Sequence, residues 1–141
     1  GLIILGTRVV TVRHRAGASR YHLLPGGGVG WRETLSEALV REVREETGLL
    51  VEVGRLVLVS DTIDPSGRRH VVNVLFDCEV TGGTVTEAPD DPRVEAVDLI
   101  EPSRLAELDL RPPWAQEIVR YVDSRRDWVA PYLGSLFTPE R

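Results

Sequence analysis

The sequence predicts an α/β fold in which a mixed β-sheet lies between helices. Apolar, β-branched runs and amphipathic segments alternate along the chain in the order strands, helix, strands, helix. The chain has 141 residues, which is the size of one domain with its own core. Hydrophobic residues make up 42% and charged residues 28%, as in ordinary globular proteins. We therefore expect residues 1–141 to form a single domain.

The first thirty residues predict three strands and a glycine-rich loop. The strands are expected over residues 2–5, 8–13 and 21–24. Gly6-Thr7 is expected to form a turn, the small polar stretch 15–20 a loop, and Pro25 the end of the third strand. The run from Gly26 to Gly30 holds four glycines in five residues, which is too many for regular structure.

The clearest helix is predicted over residues 34–46. Thr34 followed by Glu37 matches a capping box, which is worth on the order of 1 kcal/mol. Gly48 stands where a C-terminal stop belongs. Four apolar residues recur at helical spacing and define a core-facing side. They are Leu35, Ala38, Leu39 and Val43.

The second half of the chain predicts three more strands and a second long helix. The strands are expected over residues 49–60, 69–80 and 93–100, and turn residues at 64–67 join the first two into a hairpin. A polar loop is expected over 81–92, a short helical turn over 103–108 and a helix over 113–126. The late aromatics are assigned either to the core or to a homodimer interface, and the sequence leaves both open. They are Trp114, Trp128, Tyr132 and Phe137.

Charge and composition exclude some classes of function. The net charge of -5 argues against an extended nucleic-acid surface, whereas a small phosphate ligand remains compatible if a divalent metal supplies positive charge. No apolar run approaches the ~20 residues of a membrane span, and no signal peptide is visible. The single cysteine, Cys78, fits a cytoplasmic protein. Because Gly1 opens directly in an apolar run, we expect the natural chain to begin upstream.

An acidic cluster on the predicted helix carries the candidate chemistry. Glu42, Glu45 and Glu46 share one helical face, where like charges destabilise a helix by about 0.2–0.5 kcal/mol per pair. A hard divalent cation reverses that penalty, and carboxylate oxygens suit Mg²⁺ or Mn²⁺. Arg41 lies one turn before Glu45 and can hold it in place. The glycine loop ahead of the helix lets backbone approach an anionic ligand closely.

The spacing around this cluster resembles a known family signature. Residues 27–49 match the pattern GX5EX7REUXEEXGU, in which U is aliphatic, and every fixed position is present. This window resembles the Nudix box of the Nudix hydrolases. The resemblance implies an α/β/α sandwich, a Mg²⁺ cofactor for which Mn²⁺ can substitute, and hydrolysis of an acid anhydride between two phosphates. The matching residues are Gly27, Glu33, Arg41-Glu42-Val43, Glu45-Glu46 and Gly48-Leu49.

The resemblance also implies roles for individual residues. Arg41 and Glu33 match the pair that orients the metal-binding glutamates. Glu42 is the first candidate for the general base, and Glu95 is a candidate fourth carboxylate on a later segment. The residues that match metal ligands are Glu42, Glu45, Glu46 and the backbone carbonyl of Gly26.

The expected substrate is a nucleoside diphosphate joined to another group. Pro65 lies sixteen residues beyond Leu49, near the offset of a proline associated with the ADP-ribose pyrophosphatase subgroup, and this favours ADP-ribose slightly over a nucleoside triphosphate. A plain turn proline explains Pro65 equally simply. Arg13, His14 and Arg15 end a predicted strand, and we expect solvated charges there rather than phosphate contacts.

Two alternative functions share the same fold. A nucleotide sensor that binds without cleaving usually loses box glutamates, and here all of them are present. An isomerase acting on isopentenyl diphosphate is expected to need an active-site cysteine, and Cys78 lies in a predicted strand as a small core residue. The sequence therefore favours the hydrolase over both alternatives.

Overall fold

The computed structural model describes residues 1–137 and contains seven strands and two α-helices within them. Two 3₁₀ turns span Pro102–Glu107 and Arg125–Asp127. The strands are β1 (Leu2–Leu5), β2 (Arg8–Ala16), β3 (Ser19–Leu23), β4 (Leu49–Ile63), β5 (His70–Gly83), β6 (Val94–Ile100) and β7 (Tyr132–Ser135). The helices are α1 (Leu35–Thr47) and α2 (Ala115–Asp123).

The strands form one mixed sheet in the order β3-β2-β1-β5-β4-β7, and β6 pairs with β2. β1 runs parallel to β5, and β4 runs parallel to β7. The remaining strand pairs are antiparallel, including the long β4–β5 hairpin that the turn at 64–67 predicts. The predicted mixed sheet is therefore confirmed.

Alternation along the strands gives the sheet two apolar faces, because successive side chains point to opposite sides. On one face Ile3 and Val10 pack with Leu39 and Val43 of α1. On the other face, the preceding residues of the same strands, such as Leu2, pack with the core-facing side of α2. The sheet thus lies between helices, as predicted. Ala38, Leu39 and Val43 hold α1 against it, whereas Leu35, which was also expected on the core-facing side, is 46% exposed.

Helix α1 begins and ends where its capping residues predict. The Glu37 backbone N–H donates to Thr34 Oγ1 at 3.2 Å, and the Thr34 N–H donates to the Glu37 carboxylate at 2.8 Å. Gly48 ends the helix with φ 77°, a left-handed conformation that favours glycine. These local bonds fix the register of the helix and hence the direction in which its glutamates point.

We expect Thr34→Ala to lower the free energy of unfolding by about 1 kcal/mol, because it removes the hydroxyl that caps α1. Urea denaturation of the two proteins measures the difference. Thr34→Ser keeps the hydroxyl and should leave the free energy of unfolding within a few tenths of a kcal/mol of the wild-type value. Equal loss in both variants would contradict the capping role.

The structure corrects two element boundaries and adds one strand. The predicted loop over 15–20 is wrong, since β2 and β3 continue through it into a tight turn at Gly17, whose φ is 60°. The predicted helix over 113–126 is too long, because Ser124 Oγ donates back to the Arg120 carbonyl at 2.6 Å where α2 ends. Strand β7 was not predicted, and its short run in the Pro-broken tail gives little strand signal.

The late aromatics differ in their burial, and the homodimer alternative stays a prediction. Trp114 is buried in the core, and its indole Nε1 donates to Ser60 Oγ at 3.2 Å. Trp128 packs edge-on against Tyr121 and donates to the Val57 carbonyl at 2.6 Å. Tyr132 and Phe137 stay exposed. The two tryptophans therefore close the core.

Candidate active site

The glycine loop and α1 meet through a salt bridge between Glu33 and Arg41. Arg41 Nε donates to Glu33 Oε1 at 2.6 Å, and Arg41 Nη2 donates to Oε2 at 3.0 Å, a bidentate arrangement. The same carboxylate accepts the Gly30 N–H at 2.7 Å. The hydrogen bonds from Arg41, followed by that from Gly30, lower the pKa of Glu33 to about 2. Glu33 is consequently a permanent anion that fixes the guanidinium.

The fixed guanidinium then reaches two glutamates of the helix. Arg41 Nη1 donates to Glu42 Oε1 at 2.8 Å and to Glu45 Oε2 at 3.3 Å. Arg41 Nη2 also donates to the Gly28 carbonyl at 3.2 Å, which holds the loop over the helix. The structure therefore brings together Glu33, Arg41, Glu42 and Glu45, as the sequence predicts.

The glycines of the loop leave room that a side chain would fill. A Cβ placed on Gly27 would lie 2.4 Å from the carboxyl carbon of Glu42, so only glycine permits this approach. The neighbouring Gly26 donates its N–H to Glu46 Oε2 at 2.8 Å. Gly26 was predicted to contribute its carbonyl, and the contact described here is made by its N–H. Loop backbone and helix carboxylates are thus in direct contact.

Glu46 differs from the other two glutamates in its burial. It is 2% exposed, whereas Glu45 lies partly open to solvent. Burial raises the pKa of Glu46 to about 7, while the Gly26 N–H opposes that shift. A carboxylate withdrawn from water beside further acidic groups gains stability from any cation placed next to it.

The donor set fits a hard divalent cation. Carboxylates backed by a close glycine loop suit Mg²⁺ or Mn²⁺, and the buried charge of Glu46 lacks a described cationic hydrogen-bond partner. Within residues 1–137, however, no three His, Cys, Asp or Glu side chains are arranged around a common point for a metal. Arg41 bonds to one oxygen of Glu42 and one oxygen of Glu45, so the other oxygen of each carboxylate is not engaged by Arg41.

A cleft of about 580 Å³ opens beside the glutamates. Its lining adds residues that were not predicted, namely those of the loop between β5 and β6. This loop is tied to α1, because the Asp90 N–H donates to the Glu45 carbonyl at 2.9 Å. The run Asp90-Asp91-Pro92-Arg93 is polar and turn-like in sequence, but only the fold places it at the box. The lining residues are Glu42, Arg44, Glu45, Asp90, Asp91, Pro92 and Arg93.

Glu95 is not among the residues that line this cleft. It accepts two hydrogen bonds from Arg20, at 2.7 and 3.0 Å, and lies 3.3 Å from Arg13 Nε. Val10 faces α1, and Val12, two residues later in the same strand, lies on the same face of the sheet. Arg13 is the next residue, so its side chain points to the opposite face. The contacts of Glu95 therefore lie on the side of the sheet away from the box, and its role as a fourth carboxylate stays a prediction.

The remaining predicted features have ordinary surroundings. Pro65 lies in a turn that is closed by the Gly67 N–H bonding to the Asp64 carbonyl at 2.8 Å. Cys78 is buried in β5 with the apolar residues under α1. His14 was expected to be solvated, and this is wrong, because it is buried at 7% exposure. No helix of residues 1–137 has the length and apolar character needed to cross a membrane.

If Glu33 orients metal ligands as the sequence predicts, Glu33→Gln should lower turnover by about 10- to 100-fold, the usual loss for a residue in that position. Glutamine cannot form the charged bidentate pair with Arg41, so Glu42 and Glu45 lose their fixed neighbour. Steady-state turnover over a range of Mg²⁺ concentrations measures the effect. Glu52→Gln, at an exposed carboxylate on β4, is the control, and equal turnover in all three proteins would contradict the orienting role.

The fold and the site together define an α/β/α sandwich whose acidic helix meets a glycine loop, which is an arrangement suited to a metal-bound phosphate ligand. The NUDIX domain model matches residues 1–122, and the chain belongs to the Nudix family. It is similar to an ADP-ribose pyrophosphatase of Methanocaldococcus jannaschii, with 41% identity over 83 residues. That match covers 59% of this chain and 49% of the relative, so the chain spans about half of the relative's length.

Solved structures agree with this family assignment. A MutT Nudix hydrolase from Burkholderia pseudomallei is 31% identical, with a TM-score of 0.61 over 72% of this chain and 79% of that one. An ADP-ribose pyrophosphatase from Streptococcus suis is 23% identical, with a TM-score of 0.71 over 93% of both chains. At that identity the second likeness shows the fold alone.

Proposed function

We propose that this protein hydrolyses the pyrophosphate bond of a nucleoside diphosphate joined to another group. The observation that carries the proposal is the network in which Glu33 fixes Arg41, and Arg41 contacts Glu42 and Glu45. Glutamates that only face solvent would not be joined by one guanidinium to a glutamate of the preceding loop. The same network supports metal dependence, because it presents oxygen donors beside a glycine loop.

Mg²⁺, for which Mn²⁺ can substitute, is the proposed cofactor, held by Glu42, Glu45, Glu46 and Gly26. Bound there, it would supply Lewis-acid polarisation of the pyrophosphate. Arg41 and Glu33 orient the two partly exposed glutamates. Position 27 has no room for a side chain, because its Cβ would overlap with the Glu42 carboxylate. Glu42 is the first candidate to take the proton from the attacking water, since its carboxylate also lines the cleft. Glu95 is retained only as a second candidate.

ADP-ribose is the first substrate to test. The methanogen relative is named as an ADP-ribose pyrophosphatase, and Pro65 stands at the offset associated with that subgroup. Nucleoside triphosphates, including oxidised ones, are the next class, because the box contacts only metal and pyrophosphate while surrounding loops set specificity. We further propose that residues 1–141 form one Nudix domain that works in the cytoplasm. We also propose a homodimer, which sedimentation tests.

A panel of substrates tests the proposal. The purified protein is incubated with Mg²⁺ and ADP-ribose, nucleoside triphosphates, dinucleoside polyphosphates, or capped and triphosphorylated RNA. Turnover of one substrate well above the rest names the subgroup, and ADP-ribose is the expected one. Binding of a nucleotide that raises the melting temperature without any cleavage would replace the hydrolase with the sensor alternative.

A further inference from the structure

The cleft beside the box is strongly acidic and holds two cationic side chains among its lining residues. Four acidic residues and two arginines line it, namely Glu42, Glu45, Asp90 and Asp91 against Arg44 and Arg93. A pyrophosphate brings further negative charge into this space, and a metal offsets only part of it. An arginine that can turn towards the ligand would complete the charge balance.

Arg93 is the arginine that is held in a ready position. Its Nη2 donates to Asp91 Oδ2 at 2.6 Å, its Nε to Oδ1 at 3.0 Å, and its backbone N–H to Oδ1 at 2.9 Å. The side chain nevertheless remains 73% exposed, while that of Asp91 is 11% exposed. Asp91 is thus the more enclosed partner, and Arg93 is the exposed one that can leave. Asp91 chiefly, with Glu46 and Glu42 adding to it, raises the pKa of Arg93.

His14 lies behind this pair with an unsatisfied nitrogen. Its Nε2 is buried and has no hydrogen-bond partner among the described residues, which is costly for a polar atom withdrawn from water. His14 pairs across the sheet with Val94, the residue next to Arg93. Burial chiefly lowers the pKa of His14, Asp91 opposes that shift, and Arg93 reinforces it. The histidine therefore lies within electrostatic range of both members of the pair.

The alternation of β2 places His14 on the side of the sheet that carries the box. Val10 packs against α1, and His14 follows it at an interval of four residues in the same strand. The β2–β6 pairing has a register shift at this point, but it does not disturb the alternation of β2. Arg13 and His14 are consecutive in β2 and pair with Ala96 and Val94, so the extra residue lies in β6. His14 consequently faces α1, the opposite direction from Arg13.

We propose that Arg93 is an anion-binding arm that leaves Asp91 for the pyrophosphate of a bound ligand, and that His14 Nε2–H then becomes the hydrogen-bond donor to Asp91. The exchange gives each group a partner in both states. Without ligand, Arg93 donates to Asp91; with ligand, the guanidinium binds phosphate oxygens and the partly enclosed Asp91 carboxylate keeps a donor. Arg93 would contact the substrate directly, and His14 would be a positioning residue that acts through Asp91.

The inference rests on the proposed function for the identity of the anion, and it is tested by binding rather than turnover. The probes are the α,β-methylene analogue of ADP-ribose, which cannot be hydrolysed at that bond, and inorganic pyrophosphate, both with Mg²⁺. Calorimetry is expected to show that Arg93→Ala weakens binding of the analogue by about 10- to 100-fold, the range for a lost hydrogen bond to a charged group. Arg104→Ala is the matched control, since Arg104 is similarly exposed and paired with Glu107. It should change binding by less than about 2-fold.

Nitrogen-15 spectra of labelled imidazoles report the second half of the exchange. The chain has three histidines, so His14 can be assigned by comparison with His14→Gln. Adding the analogue should move the His14 Nε2 proton downfield as it bonds to Asp91, and Arg93→Ala should show that position without any ligand. In Asp91→Ala, which removes the acceptor, the movement should be lost. A histidine that only senses the charges of Asp91 and Arg93 would shift its signals without its Nε2 proton becoming protected from exchange with water, so that protection is the deciding observation.

Each outcome decides the inference separately from the proposed function. A protein that binds the analogue through Arg93 yet hydrolyses no substrate keeps the arm and loses the proposed function. Wild-type affinity in Arg93→Ala, or a His14 signal that ignores the analogue, overturns the inference even if hydrolysis is found. Failure of the wild-type protein to bind either probe overturns the inference, and the hydrolysis panel then decides the proposed function separately.

Discussion

Replacement of Glu45 by Gln should lower Mg²⁺-dependent hydrolysis by at least about 100-fold, since even residues one step removed from a metal cost up to that much. The change removes one negative charge from the proposed metal site and keeps the shape of the side chain. Glu45 is partly exposed, and its described side-chain partner is Arg41 at 3.3 Å. The melting temperature should therefore hardly change, so the loss can be assigned to chemistry. Initial rates over a Mg²⁺ titration measure it.

Glu107→Gln is the control for this prediction. Glu107 also pairs with an arginine on a helical surface, Arg104, but it lies outside the acidic cleft. Its variant should keep wild-type rates at every Mg²⁺ concentration. If Glu45→Gln retained more than about a tenth of the activity, the residue would not be a metal ligand in the working enzyme.

Gly27→Ala should be nearly as damaging to activity while leaving the fold intact. The added methyl group would lie 2.4 Å from the carboxyl carbon of Glu42 and 2.5 Å from one of its oxygens. The carboxylate is the flexible end of a side chain, so it can swing away at little cost in stability. Glu42 would then lose its position against Arg41, and a displacement of about 1 Å in an active site can reduce the rate about 100-fold.

Gly28→Ala offers a control one residue away. A Cβ on Gly28 would meet no atom within 4 Å, and the carbonyl that accepts from Arg41 is unchanged by the substitution. Rates and melting temperatures of the two variants should be compared side by side. Equal rates for Gly27→Ala and Gly28→Ala would show that the closeness of Gly27 to Glu42 has no catalytic importance.

The box was predictable because its structure is local. The capping pair Thr34 and Glu37, the C-terminal Gly48 and the three- and four-residue spacing of the glutamates are all encoded within fifteen residues. The contact between Glu33 and Arg41 spans eight residues and was expected from the resemblance to the family signature. Both expectations required no knowledge of how the sheet is assembled.

The rest of the cleft was not predictable, because it depends on contacts distant in sequence. The Asp90 N–H reaches the Glu45 carbonyl across 45 positions, and only strand pairing brings that loop to α1. The extra residue in β6 removes Glu95 from simple alternation, so sequence spacing could not give its direction. For His14, strand alternation gave the correct face once the sheet was known, but the ending of the predicted strand at residue 13 hid its burial.

The most direct test of the central claim is product analysis by phosphorus-31 spectroscopy after incubation of the protein with ADP-ribose. With Mg²⁺ in oxygen-18 water, hydrolysis of the pyrophosphate should give AMP and ribose 5-phosphate, with the label on one of the two phosphates. Chelation of the metal should stop the reaction, and Glu45→Gln should show only traces of product. An intact pyrophosphate signal for ADP-ribose and every other substrate of the panel, with metal present and the protein folded, would contradict the claim that this site is a hydrolase.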